Sequence, residues 1–395
     1  MNDLMKLFLY VIVLTGMVVV GSIISVRLFS PKVDEITIPK EVIIEPEMTL
    51  GEIAVQNKLP FPVLRKVFRI SNKEELTKSF AEFNLSTEEA KDMIRKTLAM
   101  ISEDVSKIWE KILLKFALWF IFMTLIFHLL TTNAIHTDNR RWFYFASVLI
   151  FGVALGADPG PMGTIKDAIV LFGKVEVIFV PRLIAMTLFF LMVVVANKFI
   201  CAWGCQAGTL QDLIFRLNRE KNEPIIQQFK IPFVITNTVR IIFFAVFTFA
   251  ALFWAFDLIG YIDPFLIFKP ESLLPVGMVF LGLIMFLSLF IYRPWCHFFC
   301  PFGLIGWLLE KISYCKIQVN YRRCIGCEEC AESCPSTVMS AILKRDNVIP
   351  DCFSCGTCIE VCSQEAISFS KGKRRKPPQG KFEKEVVRDE NDPAS

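Results

Sequence analysis

The sequence predicts a mostly α-helical, polytopic membrane protein with six transmembrane helices, a small outward helical domain and a cysteine-rich C-terminal α+β module. Three observations carry this. The 395 residues are 54% hydrophobic, 38 of them Phe, and the mean hydropathy is +0.49. The apolar residues fall in blocks of about 20, the length that crosses a bilayer, rather than at the period of a soluble core. Thirteen cysteines are present, none before residue 201, and eight fall between 324 and 362. This excludes an ordinary cytosolic enzyme, a disordered chain and a collagenous one. A net charge of +4, spread along the chain, gives no case for a nucleic-acid partner.

Six stretches have the apolar length of a span: 7–26, 112–130, 142–155, 177–196, 231–256 and 273–292, the third being the shortest. The first is longer than the roughly 7–15 apolar residues of a secretion signal, and no small-x-small site precedes Arg27. It reads as an uncleaved anchor occupying 1–30. Residues 31–110 read as a helical domain. Thr49-Leu50-Gly51-Glu52 and Ser86-Thr87-Glu88-Glu89 are capping boxes. Leu50, Ile53 and Ala54, then Val63, Leu64, Val67 and Phe68, have helical spacing, with Pro60 and Pro62 parting the two helices. A third helix from Thr87 is expected to run into the second span. With 12 Lys and Arg against 15 Asp and Glu, this domain reads as a packed adapter and not as a DNA-binding pair of helices.

Short-loop charge sets the orientation. Arg140 and Arg141 follow the second span; Lys198, Arg216, Arg219, Lys221 and Lys230 follow the fourth; Arg293 follows the sixth. The loops on the other side hold only Lys166 and Lys174, then Lys269. Both termini are therefore expected in the cytoplasm of a cell bounded by an inner membrane, with 31–110 outside.

The core, 111–310, contains a repeat. CAWGCQAGTLQDLI (201–214) aligns with CHFFCPFGLIGWLL (296–309). Cys201 matches Cys296, Cys205 matches Cys300 and Gly208 matches Gly303. Lys198 or Arg293 precedes each copy, and Asp158-Pro159 or Asp263-Pro264 lies in each preceding loop. Spans 3–4 and 5–6 thus read as two copies of one hairpin, each ending in C-x3-C at the cytoplasmic face. Cys201, Cys205, Cys296 and Cys300 could bind a metal or a cluster, or act as redox thiols. The alternative is four buried, inert thiols.

Residues 311–370 carry the most specific pattern. C-I-G-C-E-E-C-A-E-S-C-P starts at Cys324 and C-F-S-C-G-T-C-I-E-V-C-S at Cys352, each C-x2-C-x2-C-x3-C. In this spacing three thiolates of one run bind one [4Fe-4S] cube and the fourth binds the other. One set is Cys324, Cys327, Cys330 and Cys362; the other is Cys352, Cys355, Cys358 and Cys334. This is a two-cluster ferredoxin module, with strands expected at 316–319 and 366–369 and two zinc sites as the weak alternative. Gly326 and Gly356 stand where the loops must curl. The stretch 322–369 has four Lys and Arg against seven Asp and Glu, which suits a basic partner. Residues 371–395 read as a disordered tail whose Lys371–Lys376 stretch meets anionic lipid.

Other polar residues carry less. Of three His, His128 and His136 lie near one face and His297 between two cysteines, which is not the arrangement of a two-haem membrane chain. Arg240 falls inside the fifth span, where a buried charge is a functional candidate or pairs with a helix end or an acid. Arg182 reads as a snorkelling side chain, and Cys315 as an ordinary thiol.

Two hairpins ending in C-x3-C, the second as C-x3-C-P, followed by the double four-cysteine run, resemble the NapH/NosR/CcoG group of membrane-bound polyferredoxins over roughly 140–370. Gln206 stands where the first C-x3-C would be followed by Pro. Residues 31–110 are too short for the outward flavin domain of NosR-type chains, and the tail cannot form the terminal β-sandwich of CcoG-type chains. The resemblance implies an electron-transfer subunit rather than a stand-alone enzyme. It would link the quinone pool or an outward partner to a cytoplasmic carrier, among other respiratory subunits in membrane lipid. An assembly factor using membrane-face thiols, or a redox sensor, is the alternative.

Overall fold

The computed structural model describes residues 3–29, 42–83, 85–220, 223–344, 346–378 and 381–382. Residues 31–41, Lys221 and 383–395, which the sequence assigned to the domain, a basic loop and the tail, lie outside them. The described chain is mostly helical. It opens with α1 (Asp3–Phe29), apolar throughout its length.

The small domain holds α2 (Leu50–Gln56), α3 (Phe61–Phe68) and α4 (Thr87–Val105) around a core that includes Leu50, Ile53, Val63, Leu64, Phe80 and Ile94. Both capping boxes form. Glu52 N donates to the Thr49 hydroxyl at 3.3 Å and Thr49 N to the Glu52 carboxylate at 2.8 Å. Ser86 and Glu89 do the same at 3.2 Å each way. Pro60 caps α3 and Pro62 sits in its first turn, where its missing N–H costs nothing.

The expected fusion of the third helix with the second span does not occur. α4 stops at Val105, and α5 (Trp109–Thr131) begins after a three-residue break across which Trp109 Nε1 donates to Asp104 at 3.2 Å. The break lets α4 turn aside. Its Ala99 then packs on Leu171 and Phe179, and its Glu103 reaches Arg182.

The core continues with α6 (Thr137–Ser147), which runs on as a π-helical segment (Val148–Ala154), then α7 (Pro161–Val175) and α8 (Val180–Ala196). The sequence treated 158–176 as a loop. It holds α7, a 15-residue helix started by Pro161 and packed on its neighbours. Short α9 (Phe199–Trp203) and α10 (Gln206–Leu217) follow, then a two-residue pair, β1 (Arg219–Glu220) and β2 (Glu223–Pro224). After α11 (Phe233–Trp254) and α12 (Pro275–Leu287), α13 (Pro294–Phe298) and α14 (Pro301–Glu310) repeat the short-helix, long-helix pattern of α9 and α10. Among the described residues, three helices, α1, α5 and α11, are long and apolar enough to cross a membrane, by length and composition. α8 and α12 are apolar but only 17 and 13 residues long.

The C-terminal module consists of β3 (Cys315–Val319), α15 (Glu329–Ser333), α16 (Val338–Lys344), α17 (Thr357–Glu360) and β4 (Ile367–Lys371). β3 and β4 pair antiparallel with Ile317 opposite Phe369. Both are buried, and Phe369 packs against Phe127 of α5 and Phe199 of α9. The first residues assigned to a disordered tail are instead ordered along this module. Lys371 ends β4, Arg374 donates to the Ile317 carbonyl at 3.1 Å, and Lys381 donates to the carbonyls of Tyr321 and Cys324. Arg374 and Lys381 thus find backbone acceptors of the module.

The tightest approach at any described glycine joins α7 to α11. A Cβ placed on Gly173 of α7 would lie 2.0 Å from the Ala251 carbonyl oxygen of α11. Backbone cannot give way as a flexible side chain can. Gly173→Ala should therefore lower the thermal midpoint of the detergent-solubilised protein by several degrees. Gly282→Ala, with nothing within 4 Å of the added methyl, should leave it unchanged or slightly raised.

Candidate metal centre

The two four-cysteine runs fold into two loops of the same shape. The third and fifth positions of each run are left-handed: Gly326 at φ 82° and Glu328 at 58° in the first, Ser354 at 52° and Gly356 at 80° in the second. Glycine takes the conformation freely, at the third position in one loop and the fifth in the other. Ser and Glu adopt it against their own preference, which marks both loops as shaped around something. The structure brings Cys334, Cys352, Cys355 and Cys358 to one cavity and Cys324, Cys327, Cys330 and Cys362 to a second.

Among the described residues, no three His, Cys, Asp or Glu side chains converge closely enough to hold a single metal ion. A four-iron cube takes each thiolate on a different iron, so its ligands stand apart around a space. Four cysteines lining each cavity fit that donor chemistry. Burial, followed by the neighbouring thiols of Cys362, Cys324 and Cys327, pushes the Cys330 thiol up to about 12. Binding there therefore displaces a proton.

The loop of the second run is the buried one. Asp351, Cys352, Phe353 and Ser354 are all buried against the helical core, whereas Cys327 of the first run is exposed. Asn197 Nδ2 donates to the Cys352 carbonyl at 2.9 Å, and Trp203 Nε1 donates to the Ser354 carbonyl at 3.2 Å. Glu360 fastens the other side, accepting from Arg140 at 2.9 Å and from the backbone and hydroxyl of Thr137. Burial raises the Glu360 carboxyl, but Arg140 and the two Thr137 donors outweigh it and hold the group below its ordinary range. Gly356 faces α5, where a Cβ would lie 2.9 Å from Leu130.

The remaining four site cysteines form a separate group. Cys201, Cys205, Cys296 and Cys300 are buried, and each lies within electrostatic reach of others from both repeats. Cys205 and Cys300 occupy the same place in their repeats, as N-caps of α10 and α14. The C-x3-C pairs do not simply end their hairpins at one face. Trp119, midway along α5, donates to the Gly204 carbonyl at 3.0 Å, and Gln206 reaches the Ala157 carbonyl at 2.9 Å. At the other end of α10, Arg216 meets Thr357 at 3.2 Å. The chain thus turns back into the bundle at the first pair, with α10 leading out again to the module.

Buried cations enclose this group. Lys198 of the first repeat donates to the Gly303 carbonyl of the second at 2.9 Å, and Arg293 of the second donates to the Cys201 and Ala202 carbonyls of the first. Arg240 donates to the Cys296 carbonyl at 3.3 Å. Asp351 answers Lys198 at 2.7 Å and Arg240 at 2.8 Å; Asp212 answers Arg293 at 2.6 Å and Arg216 at 2.6 Å. Four cations face two carboxylates. The pairs leave an excess of positive charge in the buried region around the four thiols.

Sequence reasoning placed Arg240 in a span and left its partner open; it pairs with an acid. It read Arg182 as snorkelling, but Arg182 is buried and paired with Glu103 at 2.9 Å and Asp167 at 3.4 Å. His297 Nδ1 lies 2.8 Å from the Tyr292 carbonyl, and Cys315 is buried in β3. Asp351, Asp212, Phe353 and Lys115 were missed. Phe353 lies under both Lys198 and Arg293, 4.8 and 4.9 Å from its ring centre. Lys115 and Asp212 could have been flagged as charges inside apolar stretches. Asp351→Ala leaves Lys198 and Arg240 buried without their counter-ion and should destabilise the fold by about 3–5 kcal/mol. Denaturant titration in detergent checks this.

Comparison with known proteins agrees with this geometry. A family model described as a 4Fe-4S dicluster domain matches residues 316–363. Another, described as a 4Fe-4S binding domain, matches 178–222 and again 273–318, the two repeats. The chain is 25% identical to YccM of Escherichia coli, named for a proposed role in electron transport, over 48% of this chain and 56% of that protein. It thus spans about half the length of that relative. The ferredoxin-type protein NapH of Haemophilus influenzae is 32% identical over 24% of this chain and 36% of its own length. NapH of Escherichia coli is 23% identical over 44% and 62%. No solved structure matches the chain. Repeats, cysteine runs and relatives together make the chain similar to the NapH-like membrane polyferredoxins.

Proposed function

We propose that the protein is an iron–sulfur electron carrier that works across the plane of the membrane, as a subunit of a larger redox assembly rather than as a stand-alone enzyme. Cys352, Cys355, Cys358 and Cys334 would hold one [4Fe-4S] cluster and Cys324, Cys327, Cys330 and Cys362 a second. Cys201, Cys205, Cys296 and Cys300 would hold a third iron–sulfur group. Such groups supply reversible one-electron chemistry when bound.

One observation carries the reading. The loop bearing Cys201 and Cys205 is hydrogen-bonded, through Asn197 before it and Trp203 within it, to the loop bearing Cys352 and Cys355. Cys358 of that second loop lies within electrostatic reach of Cys330, in the set whose Cys327 is exposed. The three sets thus form a line from the interior of the bundle to the solvent face. The chain's residues exclude water at the inner end, balance the charge with buried Arg and Lys, and present the outer end to a soluble carrier. The membrane-phase partner is the quinone pool or an outward redox protein. Six spans with both termini in the cytoplasm, as the Lys and Arg asymmetry favours, put the ferredoxin module on the cytoplasmic side of the inner membrane.

Anaerobically purified protein should contain about twelve irons per chain, four for each cube. The quadruple variant with Ala at Cys201, Cys205, Cys296 and Cys300 should fall to about eight and keep the spectra of the other two groups. Equal iron in both proteins would assign these thiols to packing. Cys334→Ser should disturb the cluster of the second run and Cys362→Ser that of the first; stoichiometric zinc with little iron would overturn the cluster assignment.

Orientation is checked separately. A reporter active only outside the cytoplasm should work when fused at Thr77 and be silent when fused after Phe369. The reverse result would invert the direction of the line.

A further inference from the structure

The basic stretch after β4 has a task in the structure. The cavity of Cys324, Cys327, Cys330 and Cys362 is lined by residues of 319–367 and, from outside that stretch, by Phe382. Among the described residues, Phe382 is the one aromatic side chain on its wall. The other cysteine cavity takes its aromatic lining, Tyr292 and Phe353, where the module meets the helical core. At the outer set, Phe382 takes that part.

Successive ties bring Phe382 there. Gly372 N donates to the Tyr314 carbonyl at 2.9 Å, and Arg374 Nε donates to the Ile317 carbonyl at 3.1 Å. Lys381 Nζ donates to the Tyr321 carbonyl at 3.0 Å and to the Cys324 carbonyl. Pro377 and Pro378 stand between the second tie and the third. Their fixed φ leaves the connection fewer conformations to lose on docking. The rings of Phe382 and Tyr321 then meet edge-on, with centres 6.2 Å apart and planes at 69°, an arrangement in which aromatic pairs attract. The backbone is close as well. A Cβ on Gly326 would lie 3.7 Å from the Lys381 carbonyl oxygen, at ordinary contact distance. Tyr321, Cys324 and Gly326 of the first cysteine run thus all face residues 381 and 382. A lysine held on two carbonyls fixes the ring beside it, and that ring keeps water from one side of the cavity. Cys327 stays exposed, so the cover is one-sided.

We propose that Lys381 and Phe382 are positioning residues of the outer iron–sulfur site, Phe382 sealing the Tyr321 side of its cavity against water and Lys381 holding that seal in place. The inference rests on the electron-carrier reading. It gives the solvent end of the line a cover on one side and an open edge at Cys327 on the other.

The test uses the full chain, purified anaerobically in detergent. With photoreactive benzoylphenylalanine in place of Phe382, irradiation should link that position to the segment from Tyr321 to Cys330. A link elsewhere, or none, would overturn the contact. Iron release to a ferrous chelator then reads the seal. Phe382→Ala should speed the release of about four irons, those of one cube, about tenfold, as loss of a packed aromatic permits. The irons of the other sites should leave at the rate of the unaltered protein. Lys381→Ala should behave as Phe382→Ala does, whereas Phe382→Trp and Lys381→Arg, which keep the ring and the donor, should retain the slow rate. An unchanged rate in Phe382→Ala, or faster loss from all sites alike, would overturn the sealing role, the second result marking general unfolding instead. The cross-link is read with or without bound iron. A chain that held no iron would sink the electron-carrier reading, while the contact would still be decided by the link.

Discussion

Asp351 brings one carboxylate to a place where Lys198 and Arg240 are both fully buried, and three parts of the molecule depend on that meeting. Lys198 follows α8, Arg240 lies within α11, and Asp351 stands immediately before Cys352 of the ferredoxin module. Each charge taken out of water is expensive by itself, and the arrangement is tolerable only when complete. Since one carboxylate serves two cations, both Lys198 and Arg240 also need the carbonyls of Gly303 and Cys296. Those carbonyls belong to the second repeat. The triad therefore fixes the two repeats to each other and both to the module.

The repeats are braced crosswise by the same logic. Lys198 and Arg293 occupy equivalent places before their C-x3-C pairs, and each reaches into the other repeat. Gly208 and Gly303, also equivalent, leave room for this. A Cβ at either would fall within 3.0 Å of the carbonyl of Cys201 or Cys296, and close to a guanidinium. The repeat seen in the sequence as matched Cys and Gly is, in space, a set of matched close approaches.

Much of the fold was legible because its signals are local. The capping boxes at Thr49 and Ser86, the strands at the ends of the module and the apolar lengths of α1, α5 and α11 each follow from neighbouring residues. What escaped notice depends on distant partners. Apolar content marks the region around 158–176 as weak, yet α7 forms there, and Gly173 lets it lie against α11. Arg182 looks like a helix-end residue with a free head until Glu103 arrives from a domain 79 residues earlier. The helix from Thr87 is continuous in pattern and broken in space, since nothing in its own residues announces that Asp104 will hold Trp109. The cysteine spacing grouped the module's thiols into two sets of four, and the cavities are lined by those sets. The cations around Cys201, Cys205, Cys296 and Cys300 were visible singly, but their carboxylates were not.

The separation of Lys198 from Asp351 along the chain has a consequence for biogenesis. The two are 153 residues apart, with Lys198 made first. While the ribosome is still producing the second repeat, α8 and α11 carry into the bundle positive charges whose carboxylate has not yet been synthesised. The nascent membrane portion can hold those side chains only near water or near lipid headgroups. Closure of the bundle thus waits for the last third of the polypeptide, and for the cysteine loop that delivers Asp351 to take its shape. Folding of the cysteine loop and final packing of the helices become one event, since without that loop the buried cations of the bundle have no carboxylate to meet.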